Sequence, residues 1–288
     1  MRWVRREGHD RLLVTILMGE SFTAEWVQHC LPGWERYAER YGYDLLVFDT
    51  ALDSSARATA RSPSWQKCLV FEHPDVQAYT RAVWVDADVL INPVTAPDIA
   101  ASVPQDKVGG TNAYSVYTPA MHDHLYQAYI DLCAVRGRPL FICRRGRDYY
   151  RLFGIDTDLD DVLQCGVLVV SPRHHAAVFR EVYDRYEAKV DPATGYTYNL
   201  EMRPLSHALV SRGLHHFLDF RFNAIATNLV YLNAPYLFHR PADYPETHWS
   251  LVVSSIFSHH WFLHFAGGPE IRSWMRFVQP DVFTPLDL

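Results

Sequence analysis

Two aspartates follow a short apolar run in the first half of the chain. Asp86 and Asp88 come directly after Ala82–Val85, with one residue between them. The run predicts a buried strand, and open α/β sheets bind ligands beyond the carboxyl ends of their strands. Because residues i and i+2 of a strand share a face, we expect both carboxylates to converge on one point. Two hard oxygen donors suit a divalent cation and a phosphate-bearing substrate. A helix cap or a solvated turn is the alternative.

A second Asp-x-Asp sequence has a different setting. No apolar strand precedes Asp156–Asp158, and the stretch lacks the glycine of a calcium-binding loop. We therefore predict a solvated acidic turn there.

A histidine near the C-terminus is a candidate metal ligand. His264 is followed by Phe265, Ala266 and Gly267. Imidazole is a common metal ligand, and a glycine nearby lets the backbone approach a phosphate. The alternative is a partly buried histidine in an aromatic cluster.

Two further stretches carry polar groups beside predicted buried elements. Gln164 and Gly166 stand at the start of an apolar run, where glycine permits close approach of a ligand or of another backbone. The alternative is a core strand with a bulge. Trp65 and Lys67 stand shortly before the first Asp-x-Asp, and Lys67 is a candidate for contact with a nucleotide phosphate. On sequence alone, Trp65 is a core residue.

The elements that must position these residues alternate between strand and helix. Apolar runs predict strands over Leu12–Met18, Tyr43–Phe48, Ala82–Val85, Val108–Ala113, Val162–Val170 and Leu214–Phe220. Helical spacing predicts helices over Ala24–Tyr41, Trp65–Glu72, His174–Lys189 and Met202–Arg212. Residues 49–64, 136–151 and 191–198 are predicted to be loops. The β-α-β-α-β order of the first half indicates an α/β fold with a mostly parallel sheet.

Composition limits the class of protein. The 288 residues carry a net charge of −6, which argues against broad nucleic-acid binding. The five cysteines are scattered and include no C-x-x-C pair, so we expect a reducing, cytoplasmic location. The basic start before Leu12–Met18 resembles a signal peptide, but Glu20 follows and no cleavage site is present, so we interpret this run as a core strand. No run approaches the ~20 apolar residues of a membrane span.

Taken together and in this order, four stretches resemble the GT-A glycosyltransferases. The likeness is to the retaining families that include glycogenin-like, lipopolysaccharide galactosyltransferase-like and xyloglucan xylosyltransferase-like enzymes. The stretches are Trp65-Gln66-Lys67 with His73-Pro74, Trp84–Asp88 with Asn92-Pro93, Gln164–Val169, and His264–Gly267. The resemblance implies a GT-A (Rossmann-like) fold in a single domain, residues 1–288, with a nucleotide-binding half over about 10–110 and an acceptor-side half over about 111–288.

The resemblance also implies an activity and roles for residues. The chain would move a hexose or pentose from a nucleotide diphosphate sugar, UDP-linked, to a hydroxyl acceptor, with retention. Mn²⁺ or Mg²⁺ would be held by Asp86, Asp88 and His264. The donor would contact Met18, Gly19, Trp65, Lys67, Asp86, Gly166, Gly267 and Arg272.

The chain departs from the family pattern at three points. Gln164 replaces an asparagine that is expected to contact the sugar, and Arg272 stands near a missing lysine. Glu201 occupies roughly the place of an Asp-Gln pair. Gln164 and Glu201 are therefore the predicted catalytic residues, with Glu201 orienting an acceptor hydroxyl or acting as a general base. Alternatively, Glu201 is an acid at a helix N-terminus, stabilised by the helix dipole.

Two other functions remain open on the sequence. A haloacid-dehalogenase-type phosphatase would use Asp86 as its nucleophile, although that strand is normally the first of its fold and here two precede it. A non-catalytic domain that binds a nucleotide sugar is the other alternative, with the aromatic C-terminal third as an interface. The presence of Asp86, Asp88 and His264 argues against a degenerate site.

Overall fold

The computed structural model describes residues 1–114, 118–135, 143–190, 197–239 and 241–279. Its fold is mixed α/β with a large, mostly parallel central sheet, which confirms the predicted fold class. The strands of the described residues are β1 (Arg2–Arg5), β2 (Arg11–Ile16), β3 (Asp44–Phe48), β4 (Arg81–Val85), β5 (Val89–Ile91), β6 (Val108–Asn112), β7 (Leu163–Val170), β8 (Lys189–Val190), β9 (Thr197–Tyr198), β10 (His215–Phe217), β11 (Ala224–Ile225) and β12 (Phe262–His264).

Helices connect most of these strands. The α-helices are α1 (Glu20–Glu25), α2 (Leu31–Tyr41), α3 (Ala56–Thr59), α4 (Lys67–Val70), α5 (Pro74–Gln77), α6 (Pro119–Val135), α7 (Gly146–Arg151), α8 (Pro172–Arg185), α9 (Met202–Ser211), α10 (Ala226–Asn233), α11 (Pro235–His239), α12 (Glu246–Ser258) and α13 (Pro269–Arg272). A π-helical turn covers Trp26–Cys30, and 3₁₀ turns cover Pro63–Gln66, Phe220–Asn223, Pro241–Asp243 and Ser273–Phe277.

The chain divides into two compact units. The first contains Met1–Thr50, Val83–Ser102 and Asp219–Leu288, and the second contains Ala51–Ala82 and Val103–Leu218. That residues 1–288 act as one domain, as the sequence predicts, stays a prediction.

The first unit contains two groups of strands. β2 and β3 are parallel, with Leu12 opposite Asp44, and β1 adds to the free edge of β3 in the antiparallel sense. A separate sheet has the order β11-β12-β5. In it β12 runs parallel to β11 and antiparallel to β5, so that His264 lies opposite Val89.

One nearly continuous helical segment packs against β5. The helix begins at Glu20, earlier than the predicted Ala24, and the π-helical turn separates α1 from α2. A Cβ atom on Gly33 would lie 2.5 Å from the carbonyl oxygen of Ile91, so only glycine permits this approach of α2 to β5. The buried Trp34 indole donates to the carbonyl oxygen of Val89 over 2.8 Å. These contacts fix the strand that directly follows Asp88.

The second unit has β6 at the centre of three strands, antiparallel to β7 and parallel to β10. α9 packs against β7 and against α8, and α4 also packs against α8. β8 and β9 form a short antiparallel pair.

Some predicted bounds are wrong. The predicted loop over 136–151 contains α7, while residues 136–142 lie outside the described residues. The hydroxyl of Tyr150, which is buried, donates to the carbonyl oxygen of Asp161, and this tertiary contact leaves no periodicity in the sequence. The predicted loop over 49–64 includes α3, where the Ser55 hydroxyl accepts from the backbone N–H of Ala58. The helix predicted over His174–Lys189 ends at Arg185.

Two composition-based expectations can be compared with the structure. All five cysteines are free thiols. Within the part of the chain that the structure describes, no helix has the length and apolar character needed to cross a membrane.

Candidate active site

A tight turn brings the two aspartates of the first Asp-x-Asp together. β4 ends at Val85 and β5 begins at Val89, and the backbone N–H of Val89 donates to the carbonyl oxygen of Asp86 over 3.1 Å. The carboxylates therefore converge through this turn, and the predicted i, i+2 alternation along one strand is not the cause. The side chain of Asp86 is 30% exposed and that of Asp88 is 14% exposed.

The pairing of β12 with β5 places a histidine beside these carboxylates. The backbone N–H of Phe265 donates to the carbonyl oxygen of Asp88 over 2.9 Å, which continues the ladder past His264. Nε2 of His264 lies 3.1 Å from Oδ1 of Asp88 and 3.9 Å from Oδ2 of Asp86. Each of the three side chains offers one ligand atom, and these atoms lie within 4.8 Å of one another.

Two neighbouring side chains orient this group. Nδ1 of the buried His264 lies 2.8 Å from Oδ1 of Asn223. Because an amide oxygen accepts and does not donate, this contact suits a proton on Nδ1, and in that tautomer Nε2 offers its lone pair as a metal ligand. The indole N–H of Trp84 donates to Oδ1 of Asp86 over 2.6 Å. Hydrogen bonds of this kind fix the tautomer and the orientation of metal-binding side chains.

The role of Asn223 is not predicted from the sequence. This residue ends a 3₁₀ turn directly before β11, and the parallel pairing of β11 with β12 brings it to His264. No motif marks it in the sequence, because the contact depends on the pairing of two very short strands.

The ligand atoms of these three side chains fit a divalent cation. Carboxylate oxygens suit Mg²⁺ and Mn²⁺, and the imidazole has the outward-facing hydrogen bond that is typical of metal-binding histidines. Asp86, Asp88 and His264 are thus a group that could hold such an ion.

A buried ion pair lies in the second unit. Nζ of Lys67 lies 2.7 Å from Oε1 of Glu201, and it also donates to the carbonyl oxygen of Cys165 over 2.7 Å. Lys67 is 1% exposed and Glu201 is 3% exposed. Oε2 of Glu201 is buried and has no hydrogen-bond partner within the described residues. Buried charges are stable only when they are paired and hydrogen-bonded, as Lys67 and Oε1 of Glu201 are here. Through these contacts the pair joins α4, β7 and the start of α9.

The residues around this ion pair are held by local hydrogen bonds. The amide oxygen of Gln164 accepts from the backbone N–H of Gly166 over 2.5 Å, so the side chain folds back on its own strand. The indole N–H of Trp65, which is buried as predicted, donates to the carbonyl oxygen of Asn199 over 2.7 Å. This contact holds the chain just before Glu201.

The remaining residues that are predicted to contact the nucleotide sugar lie in the first unit. Met18 is half-buried, and Gly19 is exposed with φ +101°. Gly267 has φ +146°, and a Cβ atom there would lie 2.9 Å from Cγ1 of Ile271, so this position requires glycine. Arg272 donates to Oε2 of Glu25 over 3.1 Å.

The structure thus forms two separate groups from the predicted site residues. Asp86, Asp88 and His264 meet in the first unit, and Lys67 and Glu201 meet in the second. The side chains of Asp156 and Asp158 are each 95% exposed, which confirms that the second Asp-x-Asp is solvated.

Comparison with known proteins identifies structural relatives only. No protein-family model matches the chain, and no curated protein matches it. A glycosyltransferase involved in the glycosylation of the major capsid of PBCV-1 is similar in structure, with a TM-score of 0.51 and 13% identity over 93% of this chain and 99% of that one. The WbbM bifunctional glycosyltransferase is similar over 91% of this chain and 46% of its own, with a TM-score of 0.51 and 12% identity. At this identity the likeness concerns the fold alone, and the chain has a GT-A-like glycosyltransferase fold.

Proposed function

We propose that the protein is a metal-dependent glycosyltransferase. It moves a hexose or pentose from a UDP-linked sugar to a hydroxyl acceptor, with retention. The observation that carries this proposal is the convergence of Asp86, Asp88 and His264 at the carboxyl end of β4. A divalent cation held by carboxylates binds substrate phosphates, so in a GT-A-like fold this ligand set favours a nucleotide diphosphate over a simple phosphoester.

The three ligands have distinct surroundings. Asp88 and His264 are the less exposed pair and provide the firmer part of the Mn²⁺ or Mg²⁺ site. Asp86 is more exposed and is held by Trp84 through Oδ1, so Oδ2 remains directed to the metal or to the ribose. A cation bound there would supply Lewis-acid stabilisation of the charge that develops on the departing diphosphate.

Glu201 and Gln164 are the proposed catalytic residues. Lys67 fixes the carboxylate of Glu201 through Oε1. Oε2 is buried and has no hydrogen-bond partner among the described residues, so an acceptor hydroxyl that reaches it would supply its missing hydrogen bond. Gln164 would contact the donor sugar through its amide nitrogen, because its oxygen accepts from Gly166.

The other predicted donor contacts complete the proposal. Met18 and Gly19 would hold the nucleoside, and Lys67, Trp65 and Gly166 would act close to the sugar and phosphates. Gly267 and Arg272 would lie at the diphosphate, with Arg272 exchanging its bond to Glu25 for a phosphate oxygen.

The direct test is turnover of the donor. The purified chain is incubated with a panel of nucleotide sugars, with Mn²⁺ or with a chelator, and release of the nucleoside diphosphate is measured. We expect Mn²⁺-dependent release from one UDP-sugar, and NMR of the released or transferred sugar reports its anomeric configuration. Release of inorganic phosphate from simple phosphoesters, without turnover of any nucleotide sugar, would favour the phosphatase instead.

A further inference from the structure

The second unit contains a cavity that shares no residue with the groups described above. Its volume is about 380 Å³, and it is lined by the second halves of α8 and α9 and by the turn after α7. This volume lies within the range of small-molecule sites, about 300–1,000 Å³. Along the axis of α9, His207 in the cavity wall lies roughly 9 Å from Glu201 at the N-cap.

The charges in this wall are unequally compensated. Both carboxylate oxygens of Glu181 accept from the guanidinium of Arg212, over 2.5 and 2.8 Å, so this acid is neutralised. Asp156 lies 3.4 Å from Nε of Arg151. Arg185 has no ion pair and no side-chain hydrogen bond within the described residues, and its guanidinium lies 5.3 Å from the ring centroid of Tyr186.

A lysine that does not line the cavity lies against one residue of its wall. Gly154 has φ +80°, and a Cβ atom on it would lie 2.2 Å from Nζ of Lys189. The ammonium group therefore lies directly against Gly154 in the cavity wall. Lys189, like Arg185, has no ion pair within the residues that the structure describes.

A histidine in the wall responds to these cations. Burial lowers the pKa of His207, and the positive charges of Arg185 and Arg212 lower it further. His207 is thus neutral at pH 7, and its imidazole can donate one hydrogen bond and accept another. The cavity wall combines a guanidinium fork that has no ion-pair partner within the described residues with a neutral imidazole, and these groups can recognise phosphate or carboxylate.

We infer that this cavity is a binding site for a small anionic ligand, whose phosphate or carboxylate group is held by Arg185. The ligand is larger than the bare anion, because the cavity is of small-molecule size. The inference does not rest on the proposed function, since it involves neither the metal ligands nor Glu201.

The test uses the full chain in a buffer that contains a metal chelator and no nucleotide, at constant ionic strength. Calorimetric titrations with inorganic phosphate, glucuronate and glucose are compared for the wild type and for Arg185→Gln. Arg36→Gln is the matched control, because Arg36 is an exposed arginine on α2 with no ion pair within the described residues. We expect the wild type and Arg36→Gln to bind phosphate or glucuronate with equal affinity. We expect the affinity of Arg185→Gln for the same anion to be lower by a factor of about ten or more.

The outcomes separate the possible ligands. Tighter binding of phosphate assigns the site to phosphorylated compounds, and tighter binding of glucuronate assigns it to acidic sugars. The NMR titration of His207 gives an independent readout, because a bound anion should raise the pKa of its imidazole. The inference is wrong if neither anion binds, if glucose binds as tightly as the anions, or if Arg185→Gln binds like the wild type.

Discussion

Nε2 of His264 lies 3.1 Å from Oδ1 of Asp88, although the two residues are far apart in sequence. The antiparallel pairing of β12 with β5 creates this contact, with His264 opposite Val89. A strand pair of three residues each thus positions the candidate metal ligands, and the first prediction concerns these two side chains.

We expect Asp88→Asn and His264→Ala to abolish Mn²⁺-dependent release of the nucleoside diphosphate from the donor. Each variant removes a metal ligand. The rate should therefore fall by more than the about 10- to 100-fold that is typical when a residue hydrogen-bonded to a ligand is lost. Initial rates at saturating donor give the size of the effect, and circular dichroism checks that the fold is intact.

Asp158→Asn is the control for these two variants. It also changes an acid of an Asp-x-Asp sequence, but its side chain is 95% exposed. We expect wild-type rates from this variant. Full activity in both Asp88→Asn and His264→Ala would show that the metal site is assigned wrongly.

The second prediction concerns Asn223, which positions the imidazole without touching the metal. Asn223→Ala removes the acceptor of Nδ1 of His264, so the ring loses its fixed orientation. We expect the dissociation constant for Mn²⁺ to rise about 10- to 100-fold while one ion still binds. Electron paramagnetic resonance of free Mn²⁺ measures this constant.

Asn233→Ala is a suitable control for the Asn223 variant. The amide of Asn233 donates to the carbonyl oxygen of Leu229 in its own helix and does not contact His264. An unchanged Mn²⁺ affinity in Asn223→Ala would contradict the positioning role.

These residues illustrate what the sequence could predict. Asp86 and Asp88 were predictable because a buried strand and an acidic pair are both local patterns. His264 was predicted partly because imidazole is a common metal ligand and partly through the family resemblance. Its contact with Asp88 depends on strand pairing between distant segments, which no local pattern shows. Asn223 and helix α7 were not predictable, because only tertiary contacts define them.

The third prediction separates stability from catalysis at the buried ion pair. Lys67→Met leaves the carboxylate of Glu201 buried and uncompensated, which should lower the free energy of unfolding by about 3–5 kcal/mol. In Lys67→Met/Glu201→Leu both charges are absent, so most of this loss should be recovered. Urea unfolding measures both values.

Activity of the same double variant tests the role of Glu201. We expect it to be folded and inactive, because the proposed acceptor-orienting carboxylate is gone. A folded and active double variant would mean that Lys67 and Glu201 serve stability alone.

The fourth prediction is a pH dependence of stability that involves His175. This buried side chain accepts from the backbone N–H of Ser171 through Nδ1 over 3.2 Å, and burial lowers its pKa. The unfolded chain therefore binds this proton more strongly, so the stabilisation is complete above about pH 6.5 and is lost as the pH falls below it.

Urea unfolding at about pH 7.5 and about pH 5.5 checks this dependence. The free energy of unfolding of the wild type should be smaller at the lower pH. The difference in this free energy between the wild type and His175→Gln should also be smaller there. If that difference is the same at both pH values, His175 does not contribute to the pH dependence.

The most direct test of the central claim is a thermal-shift titration of UDP, with and without Mn²⁺, on the wild type and on Asp88→Asn. At a concentration of 100 times its dissociation constant, a ligand stabilises the native state by about 2.7 kcal/mol, which is a readily measured shift in Tm. We predict that UDP raises the Tm of the wild type only when Mn²⁺ is present, and that it does not raise the Tm of Asp88→Asn. No shift with UDP or any other nucleotide, with or without metal, would contradict a metal-dependent nucleotide-sugar site at Asp86, Asp88 and His264.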